Sequence, residues 1–116
     1  MPPELGDRDR ALVLDMILAA EDALGFVAGF DVKTFAGSKL HQNAATIRSI
    51  EVVGEAAGRL SPECRQAHDD VQWSEIIGMR HRLIHGYDKV SLDLVWQVLQ
   101  EDLPDLLQAL RRIHIA

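Results

Sequence analysis

Apolar residues recur at helical spacing along most of the chain. Near the N-terminus they follow one another at intervals of three and four residues: Leu12, Met16, Ala19, Ala23 and Val27. A later set repeats in the same way: Val95, Leu99, Leu103, Leu106, Leu110 and Ile113. Such spacing places apolar side chains on one face of an α-helix. Because no alternation typical of strands stands out, the chain predicts an all-α fold.

Capping residues and helix breakers divide the chain into four long predicted helices. They span about residues 7–27, 38–60, 74–85 and from 92 onward, and a short turn at 32–36 follows Asp31. Asp7 and Ser74 are expected to cap the first and third, and Gly86 to end the third. Pro104 is expected to kink or split the fourth. Since the connectors are short, residues 1–116 are predicted to form one domain, an antiparallel bundle.

The second predicted helix combines an apolar stripe with a pair of glycines. The stripe consists of Leu40, Ala44, Ile47, Ile50 and Ala57. Gly54 and Gly58 are four positions apart, so they lie on one face of the helix. Glycine lowers helix stability relative to alanine, and the pair therefore predicts that another helix approaches closely.

Charge and composition narrow the possible functions. The net charge is −6 and aromatic residues make up 5% of the chain. A protein that coats nucleic acid is usually basic, and one that stacks single-stranded bases needs aromatic platforms. Any contact with RNA must therefore come from a local basic patch. Arg80, Arg82 and Lys89 against Asp88 form the one such patch that stands out.

Cysteine usage and hydropathy indicate the compartment. Cys64 is the single cysteine, which excludes an intrachain disulfide and a thiolate zinc cluster. The first residues lack the pattern of a signal peptide, and no long uncharged apolar run is present. We therefore expect a cytoplasmic protein that does not enter the membrane.

The densest group of chemically versatile side chains lies at the end of the third predicted helix, in the stretch Arg80-His81-Arg82-Leu83-Ile84-His85-Gly86-Tyr87. A histidine at a helix C-terminus is suited to acid–base work near neutral pH. An arginine fork matches the oxygens of a phosphate. Arg80 and His85 together are thus a minimal set for phosphoryl transfer without a metal. Five residues of helix separate them by about 140°, so one chain alone need not bring them together.

Other interpretations of the same residues remain open. His81 and His85 are one helical turn apart and would share a metal, given at least one further ligand. No ligand stands at a spacing that demands this, and we expect no metal or cofactor. His85 also suits a simple helix cap, and the ring of Tyr87 suits packing against the end of the bundle.

The residues also resemble a known family. The stretch from Trp73 to Tyr87, with its Arg-x4-His-x-Tyr core, is similar to the signature of HepT-like proteins of the HEPN superfamily. The segments 50–57 and 95–104 are similar to the family as well. The resemblance implies a HEPN bundle of four to five helices that forms a homodimer. It also implies that both Arg-x4-His motifs face one cleft.

The resemblance further implies a toxin that cleaves RNA without a metal, through attack of the 2′-hydroxyl on the adjacent phosphate. Arg80 and His85 are the expected catalytic residues, and His81 and Arg82 are expected to bind RNA phosphate. Tyr87 matches the tyrosine that a partner, the minimal nucleotidyltransferase (MNT) antitoxin, adenylylates in such systems. His81 stands where relatives often have asparagine. The alternative is a non-catalytic HEPN domain that binds nucleotides or serves as the helical partner subunit of a nucleotidyltransferase.

Overall fold

Helices account for most of the chain that the structure describes. The structure is a computed structural model that describes the backbone of residues 5–85 and 92–115 and most side chains in these ranges. The elements, in chain order, are α1 (Asp7–Phe26), α2 (Val32–Ala36), α3 (Lys39–Thr46), π1 (Ile47–Val52), α4 (Val53–Arg59), α5 (Pro62–Ala67), α6 (Trp73–His85), α7 (Leu92–Gln97), π2 (Val98–Asp102) and α8 (Leu103–Ile115). Within the described ranges there is no strand, which confirms the predicted all-α class.

The first helix packs against several other elements of the bundle. α1 packs against π1 and α4 on one side and against α8 on another. Asp9 near its start contacts Ser61, which follows α4, so the two helices run antiparallel. The apolar stripe predicted for α1 is buried throughout. The predicted cap is wrong, because Gly6 precedes the helix with extended backbone and Asp7 is already its first residue.

The second predicted helix is present but is not a regular α-helix. Its middle, π1, is π-helical. Two hydroxyls bond back to carbonyls one turn earlier, from Thr46 Oγ1 to Gln42 O at 2.7 Å and from Ser49 Oγ to Ala45 O at 2.6 Å. Such bonds compete with the helical ladder and bend helices.

A π turn contains more residues than an α turn, so it rotates the apolar face along the helix. The predicted stripe is accordingly wrong at two positions. Leu40 is 75% exposed and Ile47 is 47% exposed, whereas Ile50 and Ala57 are buried.

The last helix is not split at Pro104: α7, π2 and α8 follow one another without a gap, and π2 ends two residues before Pro104. The backbone N–H of Leu103 bonds to the carbonyl of Val98, five residues earlier. α8 follows directly at Leu103, so Pro104 lies just after the wider turn of π2, within a continuous helical run. The helix continues without leaving the bundle. Among the described residues, none of the helices combines the length and the apolar character that crossing a bilayer requires.

Candidate functional site

The start of α6 is held firmly against the preceding connector. Trp73 is buried, and its Nε1 donates to the carbonyl of His68 at 2.9 Å. Gln72 precedes the helix, and its carbonyl accepts from the N–H of Ile76 at 3.3 Å. The predicted cap at Ser74 is therefore wrong by two positions. These contacts fix the helix that carries both candidate catalytic residues, Arg80 and His85.

Arg80 lies directly over Gly54 of α4. A Cβ atom placed on Gly54 would come within 2.6 Å of the Cβ of Arg80 and 3.3 Å of its Cδ. It would also lie 3.3 Å from the carbonyl oxygen of Ile76. The helix–helix approach predicted from the two glycines is thus confirmed at Gly54. At Gly58 the same test meets only Ile77 Cγ1 at 4.0 Å, which is ordinary contact.

The guanidinium stem of Arg80 is enclosed by the bundle. Arg80 as a whole is half-buried. Its Nε is fully buried and has no hydrogen-bond partner among the described residues. A buried donor without a partner is uncommon in proteins and calls for a structural or functional reason.

His81 faces a different part of the surface. It is exposed and lines a shallow groove between α5 and α6, of about 880 Å³, together with Arg65, Asp69 and Ser74. Arg80, by contrast, is directed toward α4. The structure therefore does not bring these two adjacent residues together in one place. Arg65 adds a positive charge to this groove, and Asp69 and Glu75 add carboxylates.

The backbone of α6 remains α-helical from Arg80 to His85. The separation of about 140° between these two positions therefore applies to the folded chain, since no break in the helix shortens it. The side chains of Arg82 and His85 lie outside the described residues, as does Tyr87. Their predicted roles remain predictions.

A second cavity, on the other side of α6, has the opposite charge. It has a volume of about 400 Å³ and an apolar floor that includes Ile50 and Met79. Its carboxylates come from Asp70, Glu75, Asp102 and Asp105. Burial raises the pKa of Asp102, and the nearby carboxylates of Glu101, Glu75 and Asp105 raise it further. Because RNA is a polyanion, this cavity is unsuited to bind it.

Cys64 is unsuited to nucleophilic chemistry. Cys64 is buried, and burial followed by the charge of Asp9 raises the pKa of its thiol, so the reactive thiolate is disfavoured. Among the described side chains, no three of His, Cys, Asp and Glu gather in a way that would hold a metal ion.

Sequence reasoning missed two features of this region. The glycine spacing predicted a close approach at Gly54, but no local signal identified Arg80 as the residue that makes it. Arg65 carried no signal at all, because it joins His81 only through the packing of α5 beside α6. Both relationships are between residues far apart in sequence.

Comparison with known proteins agrees with the resemblance of the Arg80–Tyr87 segment. The profile of the family described as "Ribonuclease HepT-like" matches residues 16–113, which is most of the chain. No solved structure matches significantly.

Individual relatives extend over much of the same region. "Putative RNase MJ1380" of Methanocaldococcus jannaschii is 31% identical over 97 residues, covering 84% of this chain and 88% of the relative. "Putative RNase TTE0752" of Caldanaerobacter subterraneus subsp. tengcongensis is 39% identical over 69 residues, covering 60% and 62%. "Probable ribonuclease HepT" of Thermococcus cleftensis is 36% identical over 62 residues, covering 53% and 56%. The chain therefore belongs to the HepT-like family of the HEPN superfamily.

Proposed function

We propose that this protein is the toxin of a toxin–antitoxin pair and cleaves RNA internally without a metal. The observation that carries the proposal is the placement of Arg80. Its stem is packed against Gly54, and its buried Nε has no partner among the described residues. Membership in the HepT-like family supports the same activity, since relatives carry ribonuclease names.

The proposed reaction is a phosphoryl transfer within the RNA. His85 takes the proton from a ribose 2′-hydroxyl as its oxygen attacks the adjacent phosphorus. The bond from phosphorus to the 5′-oxygen breaks, and a protonated imidazole returns a proton to that oxygen. The products are a 2′,3′-cyclic phosphate and a 5′-hydroxyl. Arg80 stabilises the negative charge that develops on the phosphate oxygens, and His81 and Arg82 bind neighbouring phosphates.

The proposed active unit is a homodimer. The positions of Arg80 and His85 are about 140° apart around a continuous helix, so a single chain is poorly arranged to bring both residues to one phosphate. Two α6 helices facing each other across a cleft remove this difficulty, because Arg80 of one chain then acts beside His85 of the other. Such a cleft also concentrates positive charge locally on a chain whose net charge is −6.

Tyr87 is the proposed control point. It lies two residues beyond His85 and is the single tyrosine of the chain. Transfer of AMP from ATP to its hydroxyl, with release of pyrophosphate, would add bulk and negative charge beside Arg80 and His85. RNA would then be repelled. A cytoplasmic MNT-type nucleotidyltransferase is the proposed partner that carries out this transfer.

RNA cleavage in the presence of EDTA tests the activity. Arg80→Ala and His85→Ala should each lower the cleavage rate at least about a hundredfold. Arg111→Ala and His41→Ala are matched controls on other helices and should leave the rate unchanged. End-group analysis should find a 2′,3′-cyclic phosphate and a 5′-hydroxyl. Wild-type cleavage by folded His85→Ala would refute the site, and loss of activity in EDTA would refute metal independence.

A non-catalytic partner subunit is the second candidate. The observation that favours it is the acidic character of the chain, including the carboxylates around Asp102. Such a subunit would bind an MNT-type nucleotidyltransferase tightly and leave varied RNAs intact. His85→Ala would not change that binding. Parallel binding and cleavage assays on the same preparation therefore separate the two candidates.

The control at Tyr87 has its own test. Incubation with an MNT-type nucleotidyltransferase and ATP should increase the intact mass by whole AMP units and abolish RNA cleavage. Tyr87→Phe should show neither change while it cleaves RNA as the wild type does. A mass increase that persists in Tyr87→Phe would place the modification elsewhere.

A further inference from the structure

We infer that Gly54 is a positioning residue for Arg80, because its missing side chain sets how close α6 lies to α4. The inference rests on the proposed catalytic role of Arg80 and adds a residue outside the Arg-x4-His motif. Gly54 itself does not touch the phosphate. It acts by giving the Arg80 stem a surface of bare backbone to lie on.

The contact leaves no room for even one methyl group. A Cβ on Gly54 would lie 2.6 Å from the Cβ of Arg80 and 3.3 Å from the carbonyl oxygen of Ile76. Both atoms are fixed to the backbone of α6, so neither can swing away as the end of a flexible side chain can. Restoring an ordinary carbon–carbon contact therefore requires α6 to move by about 1 Å.

The Arg80 side chain has little freedom to compensate for such a movement. Its Cδ would also be within 3.3 Å of the added atom, and its Nε is fully buried. The stem is thus confined from Cβ to Nε. A displacement of α6 would therefore move the guanidinium. A misplacement of about 1 Å in a catalytic group can lower the reaction rate about a hundredfold.

The second glycine of the pair provides a matched control. Gly58 is one turn further along α4, and a Cβ there would meet only the Cγ1 of Ile77 at 4.0 Å. Gly54→Ala and Gly58→Ala are the same chemical change on the same helix. They differ in whether α6 must move.

Kinetics on a fluorescent single-stranded RNA of mixed sequence test the inference. Gly54→Ala should lower kcat by about ten- to a hundredfold with little change in KM, whereas Gly58→Ala should stay within about twofold of the wild type. In an Arg80→Gly background, which lacks both the guanidinium and the Cβ that the methyl group would meet, Gly54→Ala should reduce kcat much less. An equal loss in both backgrounds, or wild-type kcat in folded Gly54→Ala, would overturn the inference.

Thermal unfolding keeps the inference testable if Gly54→Ala folds poorly. Arg80→Gly removes the Cβ that the new methyl group would meet. Gly54→Ala should therefore lower the melting temperature strongly in the wild-type background and much less in the Arg80→Gly background. An equal fall in melting temperature in the two backgrounds would show that the methyl group clashes elsewhere, and it would overturn the inference. Wild-type cleavage by Arg80→Ala would instead refute the proposed function and leave the contact itself intact.

Discussion

Asp9 holds Ser61 through two hydrogen bonds that join the start of α1 to the start of α5. The backbone N–H of Ser61 donates to Asp9 Oδ1 at 2.9 Å, and its hydroxyl donates to Asp9 Oδ2 at 2.6 Å. The same hydroxyl oxygen accepts from the N–H of Cys64 at 3.1 Å and so caps α5. One carboxylate thus fixes the connector that leads from α4 toward α6.

Removing this carboxylate should destabilise the fold. Asp9→Ala loses two charge-assisted hydrogen bonds at a partly buried site, and we expect the free energy of unfolding to fall by about 1–2 kcal/mol. Asp7→Ala is the matched control, since Asp7 shares the first turn of α1 but is exposed. Denaturant unfolding measures both. If Asp7→Ala lowered the free energy of unfolding as much as Asp9→Ala does, the effect would come from the helix dipole and not from the hydrogen bonds to Ser61.

Two glycines outside the Arg80 contact should respond to alanine with opposite signs. Gly58→Ala adds a methyl group in ordinary contact within a helix and should raise the free energy of unfolding by about 0.5–1 kcal/mol. Gly29 has a φ of +79°, in the left-handed region that alanine rarely adopts. Gly29→Ala should therefore lower stability by about 1 kcal/mol or more. Melting curves of the two variants check the direction of each change in stability. A Gly29→Ala variant more stable than the wild type would contradict the backbone argument.

The raised pKa of Asp102 predicts a pH-dependent cost to folding. The folded carboxyl holds its proton more tightly than the unfolded one, whose pKa is near 3.8. Its contribution therefore favours the folded state below that value and is lost as the pH rises through the raised pKa. At pH 7 the ionised group opposes folding, so Asp102→Asn should melt at a higher temperature than the wild type.

A pH series completes this test. The difference in melting temperature between Asp102→Asn and the wild type should shrink toward zero as the pH falls to about 3. Added salt should also reduce the difference at neutral pH, because it screens the carboxylates of Glu75, Glu101 and Asp105. Asp15→Asn, at an exposed position on α1, is the control. If the difference in melting temperature did not depend on pH, the stabilisation would come from packing of the amide and not from removal of the charge.

Cys64 should be protected from alkylation in the folded protein. It is buried, and its raised pKa keeps the thiol protonated near neutral pH. Iodoacetamide at pH 8 should therefore label it slowly in buffer and rapidly in guanidinium chloride. Intact mass against time measures both rates. Similar rates under the two conditions would contradict the buried position of the thiol.

The predictable parts of the fold are those that depend on the spacing of residues close together in the sequence. The buried stripe of α1, the helical turn after Asp31 and the irregular helix near Pro104 each follow from residues a few positions apart. The stripe of the second helix failed at Leu40 and Ile47 because π1 rotates the helix face partway along. A change from α- to π-helical backbone is not visible in apolar periodicity, which assumes one regular helix throughout.

The candidate site was also predictable only where its features depend on neighbouring residues. Sequence alone determined the helical class, the family signature of Arg80, His85 and Tyr87, and the need for a close approach at Gly54, because each depends on neighbouring residues. Tertiary structure decided that Arg80 fills the space above Gly54 and that His81 shares a groove with Arg65 instead. The physical reason is that packing partners are set by how whole helices cross. A crossing depends on the sum of many distant contacts and not on the spacing within any one helix.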